Sequence, residues 1–158
     1  GTVRMVDDTQ VGVVYIPVTD TLYAGVVGKG AFKIVDGIET PITVRKAEEQ
    51  GRTAVGSRSH SSEDEAKVLA DYKVTDFITT GSSIKFCLVA EGAADLYYRA
   101  GPTMEWDTAA GQAVLEAAGG TLTNPDGSMS PLAGYSSGSR AAVSHGMKGF
   151  AQAGYPVA

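Results

Sequence analysis

The chemistry this sequence can offer rests on one aspartate at a helix start, two isolated cations and a short run of hydroxyl residues. Asp107 stands in Met104-Glu105-Trp106-Asp107-Thr108-Ala109-Ala110-Gly111. Its carboxylate suits a helix N-cap, accepting free N–H groups of the first turn. It equally offers oxygens to a hard cation such as Mg²⁺, next to the natural phosphate site of a helix start. The two uses are compatible, because one oxygen can cap while the other coordinates. Trp106 is expected to pack beneath the turn and hold it rigid. Gly81-Ser82-Ser83 supplies hydroxyl and amide donors at a second helix start, with Lys85 one turn in, and Arg99 ends a strand just ahead of the Asp107 turn. Each of these has a plain alternative. Serines cap helices, lysine and arginine mostly sit in solvent, and His60, after Ser57-Arg58-Ser59, reads alone as a polar turn residue. His145 carries no motif.

The elements that must position these residues fall into two regimes. Val11 to Ile16, Thr21 to Val27 and Ala31 to Val35 are short β-type runs. Pro17, Thr19-Asp20, Gly28-Lys29-Gly30 and Asp36-Gly37 punctuate them, which predicts an antiparallel meander. Three strands cannot cover both their faces, so something else must pack on them. From about Ile42 strands and helices alternate. Strands are expected at Thr53–Ser57, Val74–Thr80, Ala94–Arg99, Thr121–Thr123 and Ala141–Val143. A helix is expected from Ser61-Ser62, where Asp64 and Glu65 each follow a serine by three residues, with Leu69 and Ala70 inward. A second runs from Gly81-Ser82-Ser83 to Ala90. A third opens at Asp107, carries Ala110, Ala113, Val114 and Ala117 at helical spacing, and stops at Gly119-Gly120. Residues 124–139, rich in Gly, Ser and Pro, read as loop. The class is α/β.

Bulk composition narrows the function. With 158 residues and 43% hydrophobic, the chain suits one globular domain. A net charge of −5 argues against a nucleic-acid surface, which needs a basic stripe. The single cysteine, Cys87, excludes an intrachain disulfide and lies in an apolar run, where it reads as a small buried hydrophobe. No apolar stretch reaches the roughly 18 residues that cross a bilayer. Cytoplasmic is the default expectation.

The Trp106-Asp107-Thr108-Ala109-Ala110-Gly111 turn, followed by Ala118-Gly119-Gly120, resembles the second signature of the inositol-monophosphatase-like phosphatases. Gly81-Ser82-Ser83-Ile84-Lys85-Phe86-Cys87-Leu88-Val89-Ala90-Glu91-Gly92 is similar to the 3′(2′),5′-bisphosphate nucleotidase branch of that superfamily. So are Ser57-Arg58-Ser59-His60, Leu96 to Thr103, and Gly12-Val13-Val14-Tyr15-Ile16-Pro17. The likeness runs in order over roughly residues 11 to 145. It implies the C-terminal alternating strand/helix lobe of the sugar-phosphatase fold over residues 44–158. Residues 1–43 would be the last antiparallel strands of the N-terminal α+β lobe. It also implies a Mg²⁺-dependent phosphomonoesterase that converts adenosine 3′,5′-bisphosphate to AMP and phosphate, is sensitive to Li⁺ and serves sulfur assimilation. Asp107 would be a metal ligand. His60, Ser82, Lys85 and Arg99 would contact the nucleotide, the two cations being suited to its phosphates. A peripheral contact with the inner membrane is a further implication.

The chain departs from the family pattern in one respect. The first signature, Asp-Pro-(Ile/Leu)-Asp-Gly-Thr, and an upstream glutamate supply the other metal ligands and the water-orienting threonine, and neither occurs here. Gly1-Thr2 is not the tail of that signature, since nine residues separate Thr2 from Gly12, too few for the two strands expected there. One aspartate cannot hold two or three Mg²⁺ ions. No catalytic residue is therefore assigned in this chain, which is expected to be the C-terminal part of the enzyme and inactive alone. Its exposed strands invite association. Two other readings stay open: an inositol or sugar-phosphate phosphatase with different pocket residues, and a nucleotide-binding module without catalysis.

Overall fold

The computed structural model describes residues 2–6, 9–46, 50–57, 63–81, 83–99, 105–123 and 149–153. The first half forms one antiparallel sheet in sequence order: β1 (Thr2–Val6), β2 (Thr9–Ile16), β3 (Thr21–Val26), β4 (Gly30–Val35) and β5 (Ile38–Ile42). The three expected strands are the middle of this sheet, and β1 and β5 flank them. Hairpins follow from turn chemistry. Asp36 and Gly37 both have positive φ, 51° and 75°, the conformation a two-residue connection between twisted strands needs. Pro41 stands in β5, an edge strand, where a missing N–H removes no interior ladder bond. The β5 side chains are largely exposed.

The second half builds a mixed sheet in the order β7-β6-β8-β10-β9. Its strands are β6 (Arg52–Gly56), β7 (Val74–Thr79), β8 (Leu96–Arg99), β9 (Gly120–Thr123) and β10 (Gly149–Ala153). Strands β7, β6 and β8 are parallel, whereas β10 runs antiparallel to both β8 and β9. Helix α1 (Glu63–Asp71) links β6 to β7, α2 (Ile84–Ala90) links β7 to β8, and α3 (Glu105–Ala117) follows β8. Strand alternation sorts the faces. Ala54, Leu96 and Tyr98 pack with Val68, Leu69 and Tyr72 around α1, while Val55 and Tyr97 turn the other way into the core around α2 and α3. Helix α2 lies on this sheet, α3 lies on the first sheet, and the two helices meet between them.

Several expectations are corrected. Ala70 is exposed rather than inward, and Val68 and Leu69 form the inner face of α1, with Tyr72 packed beside them just past its end. Helix α3 begins at Glu105, so Asp107 is its third residue and not its N-cap. Strand β10 was not anticipated, and the strand expected at 141–143 lies outside the described residues, as do the 124–139 loop and Ser61-Ser62. The stop at Gly119 is as expected, with φ 90°.

Two features fix α3 in place. Gly12 and Gly25 are directly paired across β2 and β3, and α3 crosses them so closely that neither has room for a Cβ. At Gly25 a Cβ would stand 2.7 Å from Ala117 Cβ and 3.0 Å from Val114 Cα. The segment joining the sheets is also tied down. Val44 N–H and the Thr43 hydroxyl both donate to the Ala118 carbonyl, at 3.0 and 3.2 Å. Arg45 grips Asp95 with two guanidinium nitrogens. Asp95 also accepts the Thr53 N–H at 2.7 Å, just ahead of β8. Among the described residues no helix is long and apolar enough to cross a membrane.

Candidate phosphate-binding rim

Strand polarity gathers the site. Because β6, β7 and β8 run parallel, their carboxyl ends open on one rim, the place where ligands bind in such sheets. The segments leaving that rim are the ones singled out above: Ser57 onward after β6, Thr80 to Ser83 after β7, and the stretch from Arg99 to the start of α3 after β8. His60, Ser82, Ser59 and the Trp106 side chain lie outside the described residues. Lys85, Arg99 and Asp107 lie within them.

Lys85 is not the solvated surface cation that its residue type suggests. Only 2% of it is exposed, and its ammonium lies over the Tyr97 ring, 5.2 Å from the centroid. Burial lowers its pKa, and the positive charge of Arg99 lowers it further. Two cations therefore face the same small region, which favours an anion between or beside them. Arg99 also keeps a buried Nε for which no hydrogen-bond partner stands among the described residues. A buried guanidinium donor without an acceptor costs free energy, and an anionic ligand would supply the acceptor.

Tyr97 organises this pair, and sequence reasoning missed it. It follows β8 parity into the core, where Phe86 meets it edge to face, with ring centroids 5.3 Å apart at 89°. Burial pushes the Tyr97 hydroxyl pKa up, and hydrogen bonding and charge from Arg99 offset this in part. Alternation along Leu96-Tyr97-Tyr98-Arg99 was the available signal, since it puts Tyr97 and Arg99 on one face of β8.

Asp107 sits in the first turn of α3, with its side chain exposed to solvent rather than packed inside. The free N–H groups of that turn give the position a positive bias. Ser83 was read as a cap of α2 and does not act as one. It has helical angles, φ −67° and ψ −10°, and makes no side-chain cap hydrogen bond. Its hydroxyl donates instead to the Asp107 carbonyl oxygen at 3.2 Å, tying the start of α2 to the mouth of α3. Among the described residues no three His, Cys, Asp or Glu side chains come together. Asp107 offers one solvent-exposed carboxylate, and the described residues alone do not complete a Mg²⁺ site.

Known proteins resemble this chain in sequence and in fold. The inositol monophosphatase family is matched over residues 5–153. The 3′(2′),5′-bisphosphate nucleotidase CysQ of Escherichia coli K12 is 47% identical over 108 residues, which cover 68% of this chain and 43% of that protein. Inositol monophosphatase 1 of Solanum lycopersicum is 34% identical over 127 residues, covering 75% of this chain and 45% of that one. The crystal structure of CysQ from Bacteroides thetaiotaomicron superimposes with a TM-score of 0.67 at 33% identity, covering 90% of this chain and 57% of that one. The chain spans less than half the length of these two curated relatives.

Proposed function

The chain belongs to the inositol monophosphatase family, and on that premise we propose that it supplies the nucleotide-binding rim of a Mg²⁺-dependent 3′(2′),5′-bisphosphate nucleotidase. The substrate is adenosine 3′,5′-bisphosphate, hydrolysed to AMP and phosphate. The observation that carries this reading is the convergence of buried Lys85 and Arg99 on Tyr97 at the strand rim. Two cations suit a second phosphate. An inositol ring, which carries hydroxyls there, would bring no negative charge to this pair.

In this reading Lys85 and Arg99 hold the phosphate that is not cleaved, and their charges set the orientation of the nucleotide. Asp107, exposed at the mouth of α3, contributes one carboxylate toward the Mg²⁺ that serves the cleaved phosphate. Ser82 and His60 are proposed as further nucleotide contacts. Among the described residues no three His, Cys, Asp or Glu side chains gather into a metal site, so the 158-residue chain by itself should hydrolyse the substrate far below ordinary enzyme rates.

Calorimetric titration of the chain with adenosine 3′,5′-bisphosphate and with inositol 1-phosphate, both in Mg²⁺ buffer, tests the proposal. The nucleotide should bind more tightly, and Arg99→Gln should weaken it about 10- to 100-fold, the worth of a charge-assisted hydrogen bond. Preference for inositol 1-phosphate, or indifference to Arg99→Gln, would refute it.

A further inference from the structure

We propose that Ser83 is a positioning residue whose hydroxyl sets the spacing between the Asp107 turn and the Lys85–Arg99 pair, and so selects ligands carrying two phosphates a fixed distance apart. The inference rests on the function proposed above and concerns a residue not assigned to substrate or metal.

The first support is where the hydroxyl goes. A serine just before a helix ordinarily spends its side chain on the N–H groups of that helix. Ser83 does not, and donates to the carbonyl of a residue 24 positions away, on another helix. A carbonyl has two lone pairs, so the Asp107 oxygen can take this proton beside its own helical partner. The oxygen belongs to the residue whose carboxylate faces solvent at the rim. The bond therefore fixes the backbone that carries that carboxylate.

A second contact one turn further on makes the link rigid. Phe86 is seated against Gly111, where an added Cβ would meet the Phe86 side chain at 2.7 to 2.9 Å. Helices α2 and α3 pack along their length, and Ser83 with Asp107 and Phe86 with Gly111 are two of the places where they meet. Lys85 lies between Ser83 and Phe86 in sequence, its ammonium over Tyr97, while Phe86 meets the edge of the same ring. The Ser83 bond is accordingly a direct tie between the carboxylate turn and the segment that carries Lys85.

The test compares adenosine 3′,5′-bisphosphate with adenosine 5′-monophosphate, in Mg²⁺ buffer, on wild type, Ser83→Ala, Ser83→Cys and Ser83→Thr. Ser83→Ala should reduce the preference for the bisphosphate about three- to tenfold, the worth of one neutral hydrogen bond. Monophosphate affinity and melting temperature should stay close to wild type. Ser83→Thr, which keeps the hydroxyl, should restore the preference, and Ser83→Cys, which keeps the volume with a weaker donor, should fall between. An unchanged preference in Ser83→Ala overturns the positioning role while leaving the nucleotide reading intact. Equal weakening of both ligands with a lower melting temperature also overturns it, since that is the signature of a merely structural bond. A wild-type chain with no preference for the bisphosphate defeats the underlying function and this inference with it.

Discussion

Replacing Gly12 by alanine puts one methyl group where the fold has left none. The Cβ would overlap the Ala110 carbonyl oxygen and stand 2.7 Å from Ala113 Cβ and 3.2 Å from the Val114 nitrogen. Two of these three are backbone atoms of α3, which no rotamer change can move. Two carbons first attract at roughly 3.5 Å, so α3 has to withdraw by nearly 1 Å. Its flank is packed by Phe86 against Gly111, which resists that retreat. The cost should fall in the upper part of the overpacking range, about 2–3 kcal/mol. At about 2–4 °C per kcal/mol for a chain of this size, the melting temperature should drop by about 4–12 °C. Gly81→Ala is the control, because nothing lies within 4 Å of its Cβ and its φ is not positive. It should melt within about 1 °C of wild type or slightly above. Thermal unfolding followed by circular dichroism decides the matter. A Gly12→Ala chain that melts with wild type would mean that α3 is not seated on the glycine pair, and the placement of Asp107 argued from it would fall.

Two further outcomes concern pH. Burial and Arg99 both depress the Lys85 pKa, and a bound anion reverses the second cause, so binding at alkaline pH must take up a proton. Nucleotide affinity should be flat near neutrality and decline before the ordinary lysine value of 10.5 is reached, and Lys85→Arg should move that decline upward. Calorimetry from roughly pH 7 to 10 checks this, and an affinity lost only toward acid would contradict it. At Asp95, burial pushes the pKa up, but the Arg45 hydrogen bonds, the Thr53 N–H and nearby positive charge outweigh it and the net shift is down. A depressed carboxylate stabilises the fold above its unfolded value of 3.8 and loses that contribution as pH falls through the folded value. Asp95→Asn should cost about 2–3 kcal/mol at neutral pH, and its deficit in melting temperature should shrink below about pH 4. A constant deficit would show that the pair does not act through charge.

Much of the layout was legible because its signals are local. Alternating β-branched runs between Gly and Asp turns mark β2, β3 and β4. The small residues Ala110, Ala113, Val114 and Ala117 mark the face of α3 that lies on the first sheet. What failed depended on partners. Strand β5 reads Ile-Glu-Thr-Pro-Ile with mostly exposed side chains, and only pairing with β4 makes it a strand. Ser83 has the residue type and place of a cap, yet its acceptor lies on another helix. Lys85 shows the limit most plainly. Nothing in the composition of α2 says that its one cation turns inward over an aromatic ring supplied by β8. The motif order around Asp107 was readable from sequence, whereas the burial that perturbs Lys85 was not.

The shared polarity of β6, β7 and β8 has a consequence for how such a pocket changes over evolutionary time. Three separate stretches of chain leave the rim, each from its own strand, while the ladder beneath is held by backbone bonds that are blind to side-chain identity. Side chains at the end of one strand can change without altering the ladder of the others, although the stretches after β7 and β8 are coupled through the Ser83–Asp107 bond. Arg99 is the sharpest case, for it stands at the last residue of its strand. On the proposed function, a neutral or acidic side chain there would alter which molecules are admitted by a single substitution, without a change in the strands beneath.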